Sequence, residues 1–432
     1  MTSCVIALGK IGLPLAVQIA SKGEPVIGAD ISELVVDLVN KGLEPFPGEK
    51  NLQDKLAIVV KDKQLQATTD ITEAVRLSEN VVIVVPVVVD EDAKPDFESI
   101  DLATELMASS LQPGTLISYE TTLPIGTTRK RFLPRIEEIS GLQVGTDFFL
   151  AYSPERVFSG RIFEDLREYP KLVGGTDPNS LSRATAFYEK ILDFNYRDDL
   201  DKPNGVWSLG SCEAAEMAKL VETTYRNVNI ALANEFAMHA ESIGIDIAPV
   251  IEASNSQPFS NVHNPGIAVG GHCIPVYPKF YLSTDVSASI PSASIIVNES
   301  MPKQAVKTLE EHITAGILGK RIAILGAAYR GDVKETAFSG VFALVEEIQN
   351  LGGNPLVHDP LYTHKELAEL GFIGYNLGDP CDAAILQADH SIYSDLTASD
   401  LPGAKVVYDG RRLFGEDQLD PIAVIRIGSG SK

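Results

Sequence analysis

The chain has 432 residues, 44% hydrophobic and 22% charged, enough apolar side chains to fill the cores of two or three domains and too many for a disordered chain. Lys plus Arg number 36 and Asp plus Glu 59, giving a net charge of −23. That balance argues against nucleic-acid binding but not against anionic small ligands, which need only local cations or helix N-termini. No apolar run reaches the ~20 residues of a membrane span. The opening MTSCVIALG has neither the basic region nor the cleavage pattern of a signal peptide, so it reads as a strand and the protein as cytoplasmic. Cys4, Cys212, Cys273 and Cys381 form no C-x-x-C pair, which fits neither a disulfide framework nor a zinc site, and no metal is expected.

In chain order, apolar runs alternate with amphipathic segments in the βαβ rhythm of a parallel sheet. Strands are expected at Ser3–Leu8, Pro25–Ala29, Asn80–Val85, Thr115–Tyr119, Asp147–Ala151 and Lys171–Val173. Helices are expected at Gly12–Ser21, Ser32–Lys41, Ser99–Leu111, Gly126–Ile139 and Pro178–Leu192. From Trp207 to Ile243 apolar residues recur three or four apart, predicting one long helix or two stacked ones. A loop rich in Asn, Pro and Gly follows, from Ser254 to His272. A second βαβ series starts at Arg321 with RIAILGAAYRG and continues through a helix at Val341–Leu351, NPLVHDP, a helix near His364–Leu370, and AKVVYDGR. The expected fold class is α/β, with two Rossmann-like doubly wound domains joined by a long central helical domain. The expected boundaries are 1–200, 201–303 and 304–432.

VIALGKIGLP puts a Gly-rich turn between strand and helix. The template G-x-G-x-x-G falls on Ala7, Gly9 and Gly12, so its first glycine is alanine here. The template's physics is a tight turn that brings a pyrophosphate against backbone and a helix N-terminus. Asp30 ends the second strand, where a carboxylate accepts bonds from the adenosine ribose and repels a 2′-phosphate, favouring NAD over NADP. Lys10 inside the turn reads as solvated or as a cofactor contact. GGHCIP, Gly270 to Pro275, is the other specific signal. Paired glycines before a His and a Cys allow a sharp turn that presents a thiol. The competing reading is a buried structural cysteine, against which stands the polar loop just before it.

The ordered landmarks of the chain resemble the nucleotide-sugar 6-dehydrogenases (UDP-glucose, UDP-N-acetylmannosamine and GDP-mannose dehydrogenases). They are GKIGLP, Asp30, YETTLPIGTT at Tyr119–Thr128, SPERV at Ser153–Val157, AAEMAKLVETTYRNVNIALANE at Ala214–Glu235, GGHCIP, NESMP at Asn298–Pro302, LGAAYRGD and HDP at His358–Pro360. SPERV followed by Ser159-Gly160-Arg161 looks most like the branch acting on UDP-N-acetylhexosamines.

The resemblance implies an NAD-dependent, two-step oxidation of a UDP-sugar CH2OH to a carboxylate, in polysaccharide biosynthesis, by a homodimer. An aldehyde that must not escape is well served by a thiolate, which traps it as a thiohemiacetal and then a thioester. Cys273 matches the nucleophile, Lys219 the helical lysine that steadies developing oxyanions, Glu155 the base, and Thr122 the threonine that holds a water. Thr223 and Tyr277 occupy further catalytic positions, and Thr223 shares a helix face with Lys219. NAD contacts are implied at Gly9, Lys10, Ile11, Gly12, Asp30, Pro86, Thr121 and Thr122. Substrate contacts are implied at Glu155, Arg156, Lys219, Gly270, Tyr329 and Arg330, with Arg411 a further cation. Two plainer readings stay open: Lys219 paired with Glu216 on the surface, and Glu155 paired with Arg156 or Arg161.

Four positions depart from the family pattern. Tyr277 stands where Asp is usual, Thr223 where Asn is usual, and Ala337 and Ile295 at positions of family arginines. A phenol can donate to an oxyanion, as an aspartate cannot, while lost arginines weaken bidentate recognition. The expected function is full oxidation with substituted helpers. The alternatives are a single oxidation, a sugar-nucleotide binding protein, and a hydroxyacid-type dehydrogenase that needs no cysteine.

Overall fold

The computed structural model of the chain describes residues 2–90 and 94–430. It divides into two compact units: the chain up to Glu222 with Lys279–Thr284, and Thr223–Pro278 with the chain from Asp285 onward.

In the first unit, β1 (Ser3–Ile6), β2 (Val26–Ala29), β3 (Leu65–Thr68), β4 (Asn80–Ile83), β5 (Leu116–Tyr119), β6 (Phe149–Tyr152), β7 (Lys171–Gly175) and β8 (Val206–Ser211) form one sheet in the order β8-β7-β6-β5-β4-β1-β2-β3. Every residue of β1, β2, β4 and β5 is buried, as parallel strands covered by helices on both faces must be. β1 pairs in parallel with both β2 and β4, so the strand order reverses beside it. In such sheets the crevice beyond the strand ends at that reversal is where ligands bind. The expected parallel rhythm stops at β7, which pairs antiparallel with β6 through Tyr152–Gly174 and Ala151–Gly175 and parallel with β8.

Helix α1 (Gly12–Ser21) follows β1, and α2 (Pro178–Ile191) packs over β6 to β8. Long α3 runs from Cys212 to Ile243 and belongs to the first unit through Glu222 and to the second from Thr223. The expected helix from Trp207 therefore begins five residues late. Trp207 lies in edge strand β8, because pairing with β7 outweighs the helical period there. The expected helix 126–139 is also split. Thr128–Phe132 is a π turn, and the α-helix begins at Leu133, where Pro134 offers no backbone N–H. The segment 52–76 holds a helix, β3 and a second helix that the sequence reading left unassigned.

In the second unit, β9 (Arg321–Leu325), β10 (Asn354–His358), β11 (Ala383–Leu386), β12 (Val406–Asp409) and β13 (Ala423–Arg426) form an all-parallel sheet in the order β10-β9-β11-β12-β13. One face is filled by Ile322, Ile324, Ile385, Leu344 and Ile348, and the other by Ala323, Leu325, Leu386, Tyr393 and Leu401. Helices α4 (Ser289–Glu311) and α5 (Val341–Asn350) pack together. No helix among the described residues is long and apolar enough to cross a membrane.

Candidate active site

In the first unit the turn after β1 has the geometry of a dinucleotide cradle. Ala7, at the template's first glycine position, takes a left-handed φ of 75°. A Cβ on Gly12 would lie 1.9 Å from the Ala7 carbonyl oxygen, whereas nothing lies within 4 Å of one built on Gly9. Gly12 thus lets helix approach turn, while Gly9 faces open space in which a pyrophosphate can meet backbone. Leu8 N donates to Asp30 Oδ2 at 2.7 Å and Ser32 N to Asp30 Oδ1 at 2.9 Å, fixing the carboxylate at the end of β2 with lone pairs to spare for ribose hydroxyls. Thr121 Oγ1 donates to Val85 O at 2.6 Å, joining the ends of β5 and β4. Lys10 and Pro86 are exposed, Ile11 and Thr121 partly so, and Thr122 is buried.

Glu155 follows β6. Its carboxylate pairs with neither Arg156 nor Arg161 but with Lys171 of β7. Arg156 instead binds Glu222 (2.8 Å), and Arg161 binds Asp165 (2.7 Å). Lys171 Nζ also donates to the buried Glu120 at 2.6 Å. Glu120 Oε1 in turn accepts the Tyr188 hydroxyl of α2 at 2.6 Å. Burial raises the Glu120 carboxyl to about 8, with Lys171 opposing and Glu155 reinforcing the shift.

Lys219 on α3 is buried, and so is Glu216, so they are not a surface pair. Glu216 serves another purpose: its carboxylate accepts Gly126 N (2.5 Å), Thr128 N (2.9 Å) and Thr128 Oγ1 (2.7 Å), capping the turn that follows YETTLPIG. Burial raises that carboxyl to about 7. Thr223, four residues beyond Lys219, is buried too.

In the second unit Cys273 is exposed, whereas the other three cysteines are buried. Burial pushes the Cys4 thiol up to about 12 and raises those of Cys212 and Cys381. Cys273 is therefore the one cysteine of the four open to a reactant. Its turn is held from several sides. Gly271 has φ +86° and donates its N–H to Ala337 O at 2.8 Å. A Cβ on Gly270 would lie 2.5 Å from that of Tyr329, whose ring edge lies against Gly271. Tyr277 N donates to Cys273 O at 2.9 Å, and His272 faces Glu335 at 3.5 Å.

The asparagines of two landmark segments anchor the same loop, a role the sequence reading did not assign. Asn227 Nδ2 donates to Ile274 O at 3.1 Å. Asn298 of α4 donates to Asn227 O and accepts from Asn234, and Asn234 Oδ1 receives Gly266 N. These side chains are buried, and their helical spacing on two polar-looking segments was the available signal.

Beyond β9, Asp359 at the end of β10 repeats the motif of Asp30. Its Oδ2 accepts Ala327 N, Ala328 N and His390 Nε2 at 2.8–3.0 Å, which gives the HDP segment its place. Arg330 is exposed, its guanidinium 6.0 Å from the Tyr329 ring. Arg411 is committed to backbone, donating to Gln387 O at 2.7 Å and Tyr329 O at 3.2 Å. No cluster of three or more metal-ligating side chains occurs among the described residues.

Three profiles of the UDP-glucose/GDP-mannose dehydrogenase family match: the NAD binding domain over residues 1–192, the central domain over 213–300 and the UDP binding domain over 323–416. The UDP-N-acetyl-D-mannosamine dehydrogenase of Pyrococcus horikoshii is 32% identical over 439 aligned residues, covering 100% of this chain and 99% of that protein. A solved structure of that enzyme superposes with a TM-score of 0.86 at 30% identity, covering both chains fully. The UDP-N-acetyl-mannosamine dehydrogenase of Staphylococcus aureus superposes at 0.84 with 28% identity over 99% of each chain. The open Gly9 turn and the fixed Asp30 fit the NAD that the matched domain binds, which accepts hydride when present. The chain belongs to the UDP-glucose/GDP-mannose dehydrogenase family and is an NAD-dependent nucleotide-sugar dehydrogenase.

Proposed function

We propose that this enzyme oxidises the C6 alcohol of a UDP-N-acetylhexosamine, UDP-N-acetylmannosamine first among them, to the uronate. The observation that carries the reading is the exposed Cys273 thiol on a braced glycine turn, in a chain whose full-length relatives are named for that sugar nucleotide. Hydride leaves C6 to give an aldehyde, and the Cys273 thiolate adds to its carbonyl carbon. A second hydride leaves the thiohemiacetal to give a thioester. Water then attacks the thioester carbon, the C–S bond breaks and the thiol is regenerated.

Lys219 steadies each developing oxyanion. Glu155 takes the proton of the attacking water, which Thr122 holds, and Thr223 and Tyr277 donate hydrogen bonds in place of the family's amide and carboxylate. Gly9, Lys10, Ile11, Gly12, Asp30, Pro86, Thr121 and Thr122 hold NAD. Arg156, Gly270, Tyr329 and Arg330 hold the nucleotide sugar. The three-part division at 1–200, 201–303 and 304–432 assigns cofactor, assembly and nucleotide to successive segments, and a cytoplasmic location supplies NAD and sugar nucleotides.

We also infer a homodimer built on α3, whose Tyr225, Leu232, Phe236 and Ile243 are exposed at spacings of seven, four and seven, an apolar seam suited to a second helix. Light scattering should then give twice 46.6 kDa, and Phe236→Glu should give the monomer mass. The activity is tested with UDP-N-acetylmannosamine, UDP-glucose and GDP-mannose, reading NADH formed per sugar consumed. Two NADH per UDP-N-acetylmannosamine support the reading; one NADH, or turnover of only the other two sugars, contradicts it.

A further inference from the structure

Beside Glu155 the sheet of the first unit buries two more charged or acidic side chains, Lys171 and Glu120, for which the scheme above has no use. Lys171, in β7, lies between Glu120, just past β5, and Glu155, just past β6. Tyr188 of α2 closes the far side: its hydroxyl donates to Glu120 Oε1 and lies 2.7 Å from Ser118 Oγ, and its ring sits 4.9 Å from the Lys171 ammonium. Two carboxylates and one ammonium would leave a net negative charge in a nearly dry interior, an arrangement that one shared proton relieves. The carboxyls are not equivalent. Glu120 is fully buried, whereas the Glu155 side chain keeps 11% exposure. The proton therefore favours Glu120, and desolvation there acts in the same direction. Paired carboxyls with different environments divide acid and base roles in this way.

We propose that Lys171 is a positioning residue for Glu155, its ammonium holding Glu155 as the aimed, ionised member of a carboxyl pair whose proton sits on Glu120. This rests on the reading of Glu155 as the base. Among the described residues, the charged and titratable groups bonded to the pair are Lys171 from β7 and Tyr188 from α2. The second of these is kept neutral by burial.

The test uses the full-length enzyme labelled with carbon-13 glutamate, its carboxylate infrared bands followed against pH and the Glu155 band identified by its loss in Glu155→Gln. The acid limb of kcat is read alongside. Lys171→Met should raise both midpoints by about 1–3 pH units, the usual effect of losing an adjacent opposite charge. Lys171→Arg should restore them, which a merely structural loss would not explain. Glu120→Gln, neutral like the protonated acid it replaces, should leave the Glu155 midpoint in place and remove one high-pH carboxyl transition. It also decides the matter if Lys171→Met does not fold. A Glu155 midpoint unmoved in Lys171→Met, or shifted by more than about one unit in Glu120→Gln, overturns the proposal. The infrared titration needs no turnover, so a wild-type enzyme that oxidises no UDP-sugar refutes the substrate reading while the bands still judge this one.

Discussion

Gly12→Ala and Gly9→Ala separate the two tasks of the nucleotide turn. At Gly12 the new methyl would meet the Ala7 carbonyl oxygen at 1.9 Å, about 1.5 Å short of ordinary contact, and the obstacle is backbone rather than a flexible side chain. Turn and helix must separate, at the roughly 1–3 kcal/mol typical of overpacking. That lowers the unfolding midpoint by several degrees, at about 2–4 °C per kcal/mol for domains of this size. It also displaces the N–H groups that a pyrophosphate would meet in the proposed cradle, so NAD affinity should fall roughly tenfold or more, each tenfold being about 1.4 kcal/mol. At Gly9 the methyl meets nothing within 4 Å and the backbone is not left-handed, so stability should stay within about 0.5 kcal/mol. The methyl instead fills the space a pyrophosphate would enter, and NAD affinity falls comparably. Calorimetric NAD titration and thermal melts of both variants measure this contrast. A Gly12→Ala protein that melts like wild type, or a Gly9→Ala protein that binds NAD like wild type, would refute the assignment of this turn.

Other outcomes follow from single residues. Ala7→Gly removes a side chain from a left-handed residue and should stabilise the protein by about 1 kcal/mol in thermal melts, with NAD affinity kept. Glu216, raised to about 7, and Glu120, raised to about 8, bind protons more readily folded than unfolded, so the stability tied to their protonated forms is lost as pH rises through those values. The lowered His263 and His358 act oppositely below their ordinary 6.5, so denaturant titrations should show stability falling between pH 6.5 and 8; a rise across that window contradicts the sign. Asn298→Ala strands Asn227 O and Asn234 Nδ2 in the interior and should cost roughly 1–3 kcal/mol. It should also quicken alkylation of Cys273 as the loop loosens, read by mass spectrometry.

The sequence was most legible where one physical rule acted alone. VVI at 81–83 reads as a strand because a doubly covered parallel strand has no polar side, and Gly12–Ser21 is the helix its turn and periodicity predict. Trp207 misled because the helical spacing that starts at Ala214 was extended back over VWSLGS, where exposure alternates along a strand paired with β7. The antiparallel entry of β7 leaves no mark on its own residues, because direction is a property of the pair. Cys273 was legible from its glycines, but what braces them was not. The contacts to Ala337, Tyr329 and the asparagine ladder join residues far apart in the chain. For Glu155 the sequence offers Arg156 or Arg161 as partners, yet its partner is Lys171, sixteen positions on. Short separations favour Arg in a sequence reading, while the sheet brings β6 and β7 side by side.

Covalent catalysis at the Cys273 thiol is put to the test by acid quenching of the enzyme during turnover with UDP-N-acetylmannosamine and NAD. Peptide mass spectrometry should find the uronyl group attached to Cys273, and Cys273→Ala should form no uronate. Undiminished uronate from Cys273→Ala would contradict the account.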